Sequence, residues 1–253
     1  MTQSTLKRLA ILFMFCDHFA KVVLSTGVLC PVLGAMGNRW LMVGLEAVGR
    51  IAFPIFAWFV AEGCRKTRSF PKYLGRMAIF AVLSEAPFQF CFYRAGENGL
   101  SLGCHNVMFT LLLAAAGICA ARVLKDHGVP GMPAMLLPCI AAISLGWVLK
   151  TDYNAWGVAL ILMLYYLPEK RQKLTLLGVW MTVFMLLWHG WNGQRFLWLQ
   201  PGGYALKIAW LGGMLSVPLL ACYGGKRGRS NKWLFYGFYP VHLAVLYAIR
   251  CLI

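Results

Sequence analysis

Nine apolar runs separated by short polar loops constrain this chain more than any single motif does. They cover residues 6–29, 41–62, 73–93, 106–124, 133–149, 155–167, 174–190, 204–222 and 233–252. A helix needs about 20 apolar residues to cross a hydrocarbon core ~30 Å thick. Inside lipid every backbone N–H and C=O must be satisfied internally, which leaves helices for runs of this length. The expected fold is an all-α, polytopic membrane helix bundle of about nine transmembrane helices, forming one domain over 1–253. The sixth run is short for a span and is expected to tilt little or to start earlier, near Tyr153. Only 13% of the residues are charged, against about 25% in soluble domains.

The net charge of +16 would suggest nucleic acid in a soluble chain. Here its distribution points to topology instead, and no nucleic-acid partner is expected. Sixteen of the 24 basic residues fall in alternate loops: Lys7 and Arg8; Arg65, Lys66, Arg68, Lys72 and Arg76; Arg122 and Lys125; Lys170, Arg171 and Lys173; Lys226, Arg227, Arg229 and Lys232. The other side carries Arg39, Arg94, Lys150, Arg195 and Arg250. Positive loops stay in the cytoplasm, so the N-terminus is expected inside and the C-terminus outside. Lys7 and Arg8 precede a run too long for a cleavable leader. The nine cysteines lie mostly within or beside apolar runs, and no Cys/His cluster has metal-ligand spacing, so no metal is expected. Cys30 and Cys104 fall on the outer side and could pair.

Lys21, Arg50 and Lys207 lie inside the runs, as do the ionisable groups that carry the functional reading. Asp17 and His18 stand about eleven residues into the first run. Arg50 is nine residues from Leu41, Glu85 twelve from Tyr73, and His242 nine from Trp233. At ~1.5 Å per residue all five lie ~13–18 Å from the side at which their helix enters. Charges at such depth are costly, and they mark functional sites by default. Purely structural readings remain: Asp17 with Lys21 at i, i+4, and Arg50 with Glu85, can act as ion pairs alone. Neighbours on a helix point ~100° apart, so Asp17 is not expected to orient His18; Glu85 is the candidate carboxylate for that role. Pro54, Pro87 and Pro240 follow Arg50, Glu85 and Phe238-Tyr239, and each frees a backbone carbonyl beside a polar group.

These residues sit in sequences that resemble the TraX family of membrane proteins. The matching elements are Cys16-Asp17-His18, Gly49-Arg50-Ile51-Ala52-Phe53-Pro54-Ile55-Phe56-Ala57 with Glu62-Gly63, and Ser84-Glu85-Ala86-Pro87-Phe88. They continue through Asn106-Val107-Met108-Phe109-Thr110-Leu111, Asp152-Tyr153 and Phe238-Tyr239-Pro240-Val241-His242-Leu243, in order over nearly the whole chain. The resemblance implies a bacterial cytoplasmic membrane protein that moves an acetyl group from cytoplasmic acetyl-CoA to an acceptor, a peptide, pilin or glycan. By analogy with the wider multi-spanning acyltransferases, His18 is the leading catalytic candidate, with Arg50 in the same site.

Acyl transfer from a thioester needs a proton acceptor, a donor for the developing oxyanion and a place for the anionic donor. A neutral imidazole suits the first, so His18 is the expected base, with Asp17, Glu85 and His242 around it. Arg50, or Asn106 with Thr110, could serve the oxyanion. Arg65, Lys66, Arg68, Lys72 and Arg76 are the expected partners of the acetyl-CoA phosphates, and the Gly224–Arg229 loop is a second candidate. Tyr239, Asp152 and Tyr153, with Trp191, Asn192, Gln194 and Arg195, could shape an acceptor pocket. His18 could instead take the acetyl group covalently and pass it on. The competing class is a small-solute transporter or channel using the same polar layer, against which stands the lack of an inverted repeat. A third reading makes the buried charges interhelical locks only.

Overall fold

The computed structural model of the chain describes residues 1–93, 104–191, 211–229 and 232–253. Arg94, Asn192, Gln194, Arg195, Lys207 and the side chain of Trp191 lie outside them. The described residues are helical apart from short turns, and they contain no strand. The helices are α1 (Gln3–Val22), α2 (Cys30–Gly49), α3 (Ala52–Lys66), α4 (Phe70–Tyr93), α5 (Val107–Asp126), α6 (Gly131–Val148), α7 (Asn154–Tyr166), α8 (Lys170–Trp191), α9 (Ser216–Ala221) and α10 (Lys232–Leu252). Among the described residues five segments are long and apolar enough to cross a membrane: 3–26, the continuous stretch 30–66, 107–126, 131–148 and 233–252. The eighth expected run lies partly outside the described residues, and its remainder holds a 3-10 turn and the short α9.

The second run departs from expectation. It forms two helices broken at Arg50–Ile51, and α2 begins at Cys30, in residues read from sequence as a loop. Pro54 explains the position of the break. It is the third residue of α3, inside the first turn, where a missing N–H leaves no gap in the helix ladder. Within α2, Gly34 adopts φ 70°, so the helix is kinked four residues after its start. α1 ends earlier than the apolar run does. The Ser25 and Thr26 hydroxyls donate to the carbonyls of Lys21 and Val23, and Gly27 takes the left-handed conformation at φ 81°. That arrangement terminates a helix at little steric cost because glycine has no Cβ.

The chain divides into two compact units, Met1–Phe56 with Lys170–Ile253, and Ala57–Glu169. In the first, α1 packs on α2 and on α10. The segment before α1 is stitched to the loop before α10: Gln3 and Ser4 donate their backbone N–H groups to the carbonyls of Lys226 and Arg227, and Gly224 donates to Met1. In the second unit α5 is central, flanked by α4, α6 and α7.

Lipid tails are as apolar as side chains, so helix association in a membrane relies on close packing of small residues and on hydrogen bonds. Glycines mark the closest approaches. A Cβ on Gly49 would lie 2.2 Å from the Asp17 Cβ, and one on Gly117 2.9 Å from the Ala142 Cβ. Arg65 secures the end of α7: its Nη2 donates to the carbonyls of Leu164, Tyr165 and Leu167, and its guanidinium lies 5.5 Å from the Tyr165 ring centre. Replacing Arg65 by methionine is therefore expected to destabilise the protein by about 1–3 kcal/mol through orphaned carbonyls. Thermal unfolding in detergent checks this, and an unchanged melting temperature would contradict it.

Candidate functional site

The first unit assembles Asp17, His18, Lys21, Glu46, Arg50, Tyr239 and His242. α1 supplies the first three, the end of α2 supplies Glu46 and the break supplies Arg50, while α10 brings Tyr239 and His242. Asp17, His18 and His242 are all buried. His18 Nδ1 and His242 Nε2 are 2.7 Å apart, with the two rings within 5° of parallel. His242 Nδ1 lies 2.7 Å from the carbonyl oxygen of Phe238, one turn back on α10.

Those two bonds fix the protons. A carbonyl oxygen only accepts, so His242 Nδ1 carries a hydrogen. In a neutral ring the other nitrogen, Nε2, is then an acceptor, and His18 Nδ1 must donate to it. The basic lone pair of His18 is thereby assigned to Nε2. That nitrogen lies 4.0 Å from Asp17 Oδ2, too long for a hydrogen bond but close enough to stabilise an imidazolium. Asp17 Oδ2 is itself held by Lys21 Nζ at 2.7 Å, while Asp17 Oδ1 is buried and accepts no hydrogen bond among the described residues. Lys21 and Arg50 both act electrostatically on the Asp17 carboxylate, and Glu46 is within reach of Asp17, Lys21 and Arg50.

This geometry corrects the expected source of orientation. His18 is oriented by an imidazole, His242, and that imidazole by a backbone carbonyl. Glu85, at a similar expected depth, is engaged within the second unit. Its Oε1 accepts from Gln89 Nε2 at 2.8 Å and lies 2.9 Å from His105 Nδ1. Its Oε2 accepts from Asn106 Nδ2 at 2.6 Å and from the Asn106 backbone N–H at 3.2 Å. Four hydrogen bonds make this carboxylate a hub.

Asn106 and Thr110, expected to meet substrate, are fully buried and spend their polar atoms on the fold. Asn106 Nδ2 also reaches the Ala81 carbonyl, and its Oδ1 caps α5 by accepting from the Met108 N–H. Thr110 donates to the Asp152 carbonyl and lies 3.0 Å from the Thr151 hydroxyl. These contacts hold a turn in which Lys150, Tyr153 and Asn154 all have positive φ, at 47°, 62° and 47°. Such conformations cost on the order of 1–3 kcal/mol each outside glycine, and they persist only where the surroundings enforce them. Burial, with the nearby Asp152 and Glu85 carboxylates, pushes the Cys104 thiol up from its ordinary value, which keeps it protonated and disfavours it as a nucleophile. Cys30 and Cys104 are free thiols.

The basic residues expected to meet the donor divide. Arg65 is committed to the end of α7, and Lys66 pairs with Glu62 at 2.5 Å. Arg68 and Lys72 are exposed, and the buried Arg76 Nε has no hydrogen-bond partner among the described residues.

Glu46, Gln89, His105 and Thr151 were not singled out from sequence. Glu46 carried a usable signal, standing four residues before Arg50 in an apolar run; His105 did not, because it sits at the edge of a loop where a histidine is unremarkable.

The family model for the TraX protein matches residues 2–250. A probable fimbrial assembly protein FimC, serogroup H1, of Dichelobacter nodosus is 31% identical over 255 aligned residues, covering 95% of this chain and 92% of the relative. No solved structure matches the chain.

Proposed function

The chain belongs to the TraX family, and we propose that within it this protein is a membrane-embedded acyltransferase that moves an acetyl group from cytoplasmic acetyl-CoA to an amine or hydroxyl acceptor. The observation that carries the reading is the hydrogen-bonded run from the Phe238 carbonyl through His242 to His18. It fixes one tautomer of His18 and directs the Nε2 lone pair toward the Asp17 side. As the acceptor attacks the thioester carbonyl, its proton passes to His18 Nε2. The resulting imidazolium is stabilised by Asp17 on one nitrogen and by His242 on the other. The acyl–sulfur bond breaks, and the thiolate of CoA departs. Arg50 supplies positive charge for the oxyanion. Arg68, Lys72 and Arg76 remain for the donor's phosphates, because Arg65 is committed elsewhere.

Nine spans with the N-terminus in the cytoplasm, in a bacterial cytoplasmic membrane, put the donor on the basic side. The name of the relative favours a fimbrial or pilin subunit as acceptor, with an envelope glycan as the second choice. Purified protein in lipid nanodiscs, given radiolabelled acetyl-CoA, is expected to release CoA or to transfer label. Protein that binds no acetyl-CoA and shows neither reaction would favour the transporter reading. His242 is a positioning residue here. His242→Gln can still offer an acceptor to His18 Nδ1, so it is expected to retain more activity than His242→Ala, which should lose about 10-fold or more. Equal activities in the two variants would remove His242 from the mechanism.

A further inference from the structure

The second unit holds a group of hydrogen-bond donors that the reaction at His18 does not use. They lie at the end of the unit where α3, α5 and α7 finish and α4 and α6 begin. The Arg122 guanidinium, on α5, is 5.1 Å from the ring centre of Phe70, the first residue of α4. It is 5.6 Å from the ring centre of Tyr165, in the last turn of α7. Aromatic faces attract a cation at such distances. Arg122 Nε donates to the Tyr165 hydroxyl at 2.8 Å, which sets the plane of the guanidinium. Tyr165 is steadied in turn by Arg65, 5.5 Å from the same ring centre, and by the Tyr166 ring at 5.0 Å. Three helix ends therefore hold one cation.

The bond through Nε leaves the opposite edge of the fork open. Arg122 Nη1 and Nη2 carry four N–H bonds, make no hydrogen bond among the described residues and are not buried. Tyr165 accepts from Arg122, so its own O–H hydrogen is left to donate beside them. Among the described residues no carboxylate pairs with Arg122; Asp126, one turn further along α5, is exposed and forms no ion pair with it. Adjacent donors without an acceptor match an anion with two or more oxygens, and the edge of a guanidinium fits a phosphate bidentately. Seven basic residues stand at this end of the unit against three acidic ones, so the local field has the sign that an anion needs.

The surroundings decide which phosphate. Val123, next to Arg122, is exposed, as are Met163 and Tyr166 on α7. The Tyr166 hydroxyl lies 3.9 Å from Cys139 Sγ, which brings α6 alongside with its exposed Leu136 and Ile140. A soluble phosphate gains nothing from such a wall, whereas a lipid lays its chains along it. We infer that Arg122 and Tyr165 form a headgroup site for an anionic phospholipid, with Arg122 Nη1 and Nη2 and the Tyr165 hydroxyl donating to its phosphodiester. Basic pockets between spanning helices on the cytoplasmic side recognise lipids of this kind. The topology proposed above puts the site in the cytoplasmic leaflet; the site depends neither on that assignment nor on acyl transfer.

Full-length protein in an uncharged detergent would be titrated with dioctanoyl-phosphatidylglycerol and, separately, with dioctanoyl-phosphatidylcholine, the bound lipid being counted by native mass spectrometry. The first phosphatidylglycerol is expected to bind about tenfold more tightly than phosphatidylcholine, whose ammonium group meets a field of its own sign. Arg122→Gln should weaken phosphatidylglycerol binding about tenfold or more, the loss of a charge-assisted bidentate contact. Arg122→Lys keeps the charge without the planar fork and should weaken it about threefold, which keeps the proposal testable if Arg122→Gln does not fold. Lys125→Gln, an exposed basic residue on the same helix end, should leave the affinity unchanged. Equal binding of the two lipids, wild-type affinity in Arg122→Lys, or an equal loss in Lys125→Gln would overturn the proposal. Displacement of the lipid by acetyl-CoA would also overturn it, assigning the fork to a soluble phosphate. The titration reads lipid binding alone, so its outcome is separate from that of acetyl transfer at His18.

Discussion

Replacing His18 by alanine is expected to lower acetyl transfer by about 10²–10⁴-fold, the usual contribution of a positioned acid–base group. The protein should still insert and fold. His242 keeps its bond to the Phe238 carbonyl in the variant, while its buried Nε2 loses the His18 donor, a cost of about 1–3 kcal/mol. The surrounding charges keep their partners, since Asp17 stays paired with Lys21. The measurement is CoA release and label transfer from acetyl-CoA, beside a melting curve on the same preparation. A variant that melts normally and keeps near-normal transfer would displace His18 from the chemistry. One that fails to fold would be replaced by His18→Gln, which retains a side-chain donor toward His242 and should be equally inactive.

The second large effect is expected at Gly49, where packing and chemistry meet. A Cβ there would stand 2.2 Å from the Asp17 Cβ and 2.9 Å from its Cα. The second neighbour is backbone, so no side-chain rotation relieves the contact, and α1 must move away from α2. Overpacking of this kind costs about 1–3 kcal/mol, sometimes more. The displaced segment carries Asp17 and His18, so Gly49→Ala should lose activity beyond what its lower melting temperature explains. Gly44 on the same helix is the control. Its Cβ would meet nothing within 4 Å, and alanine there should be neutral or slightly stabilising. If both variants melt and transfer alike, the close approach at Gly49 is not a constraint.

The helical class was legible in the apolar runs, because their length leaves the backbone few alternatives in lipid. The break at Arg50–Ile51 was not, since residues 41–62 are apolar throughout and periodicity does not report a kink. It coincides with a glycine pressed against a neighbouring helix and with a proline in the first turn of the next one. The start of α2 was hidden for the opposite reason: Gly34, Gly37, Asn38 and Arg39 read as a loop, although the helix only kinks at Gly34 and runs on through the other three. Within the site, counting residues from the membrane surface gave His18 and His242 similar depths, and they hydrogen-bond. The same counting gave Glu85 a similar depth, yet its carboxylate bonds to Gln89, His105 and Asn106. Depth is one coordinate of three, and residue counting carries no information about the direction a side chain takes around its helix. His105 escaped because nothing about a loop histidine signals cost until its carboxylate partner is seen.

The bond between His18 and His242 joins residues 224 positions apart, and the stitching of Gln3 and Ser4 to Lys226 and Arg227 spans nearly the same interval. During synthesis the first helix therefore enters the membrane long before its partners exist. Until α10 follows, His18 has no imidazole to fix its tautomer, and Asp17 can be satisfied by Lys21 alone. The nascent chain thus completes this buried pairing only at the end of insertion. Premature termination anywhere upstream of α10 leaves a membrane protein without the hydrogen-bonded run.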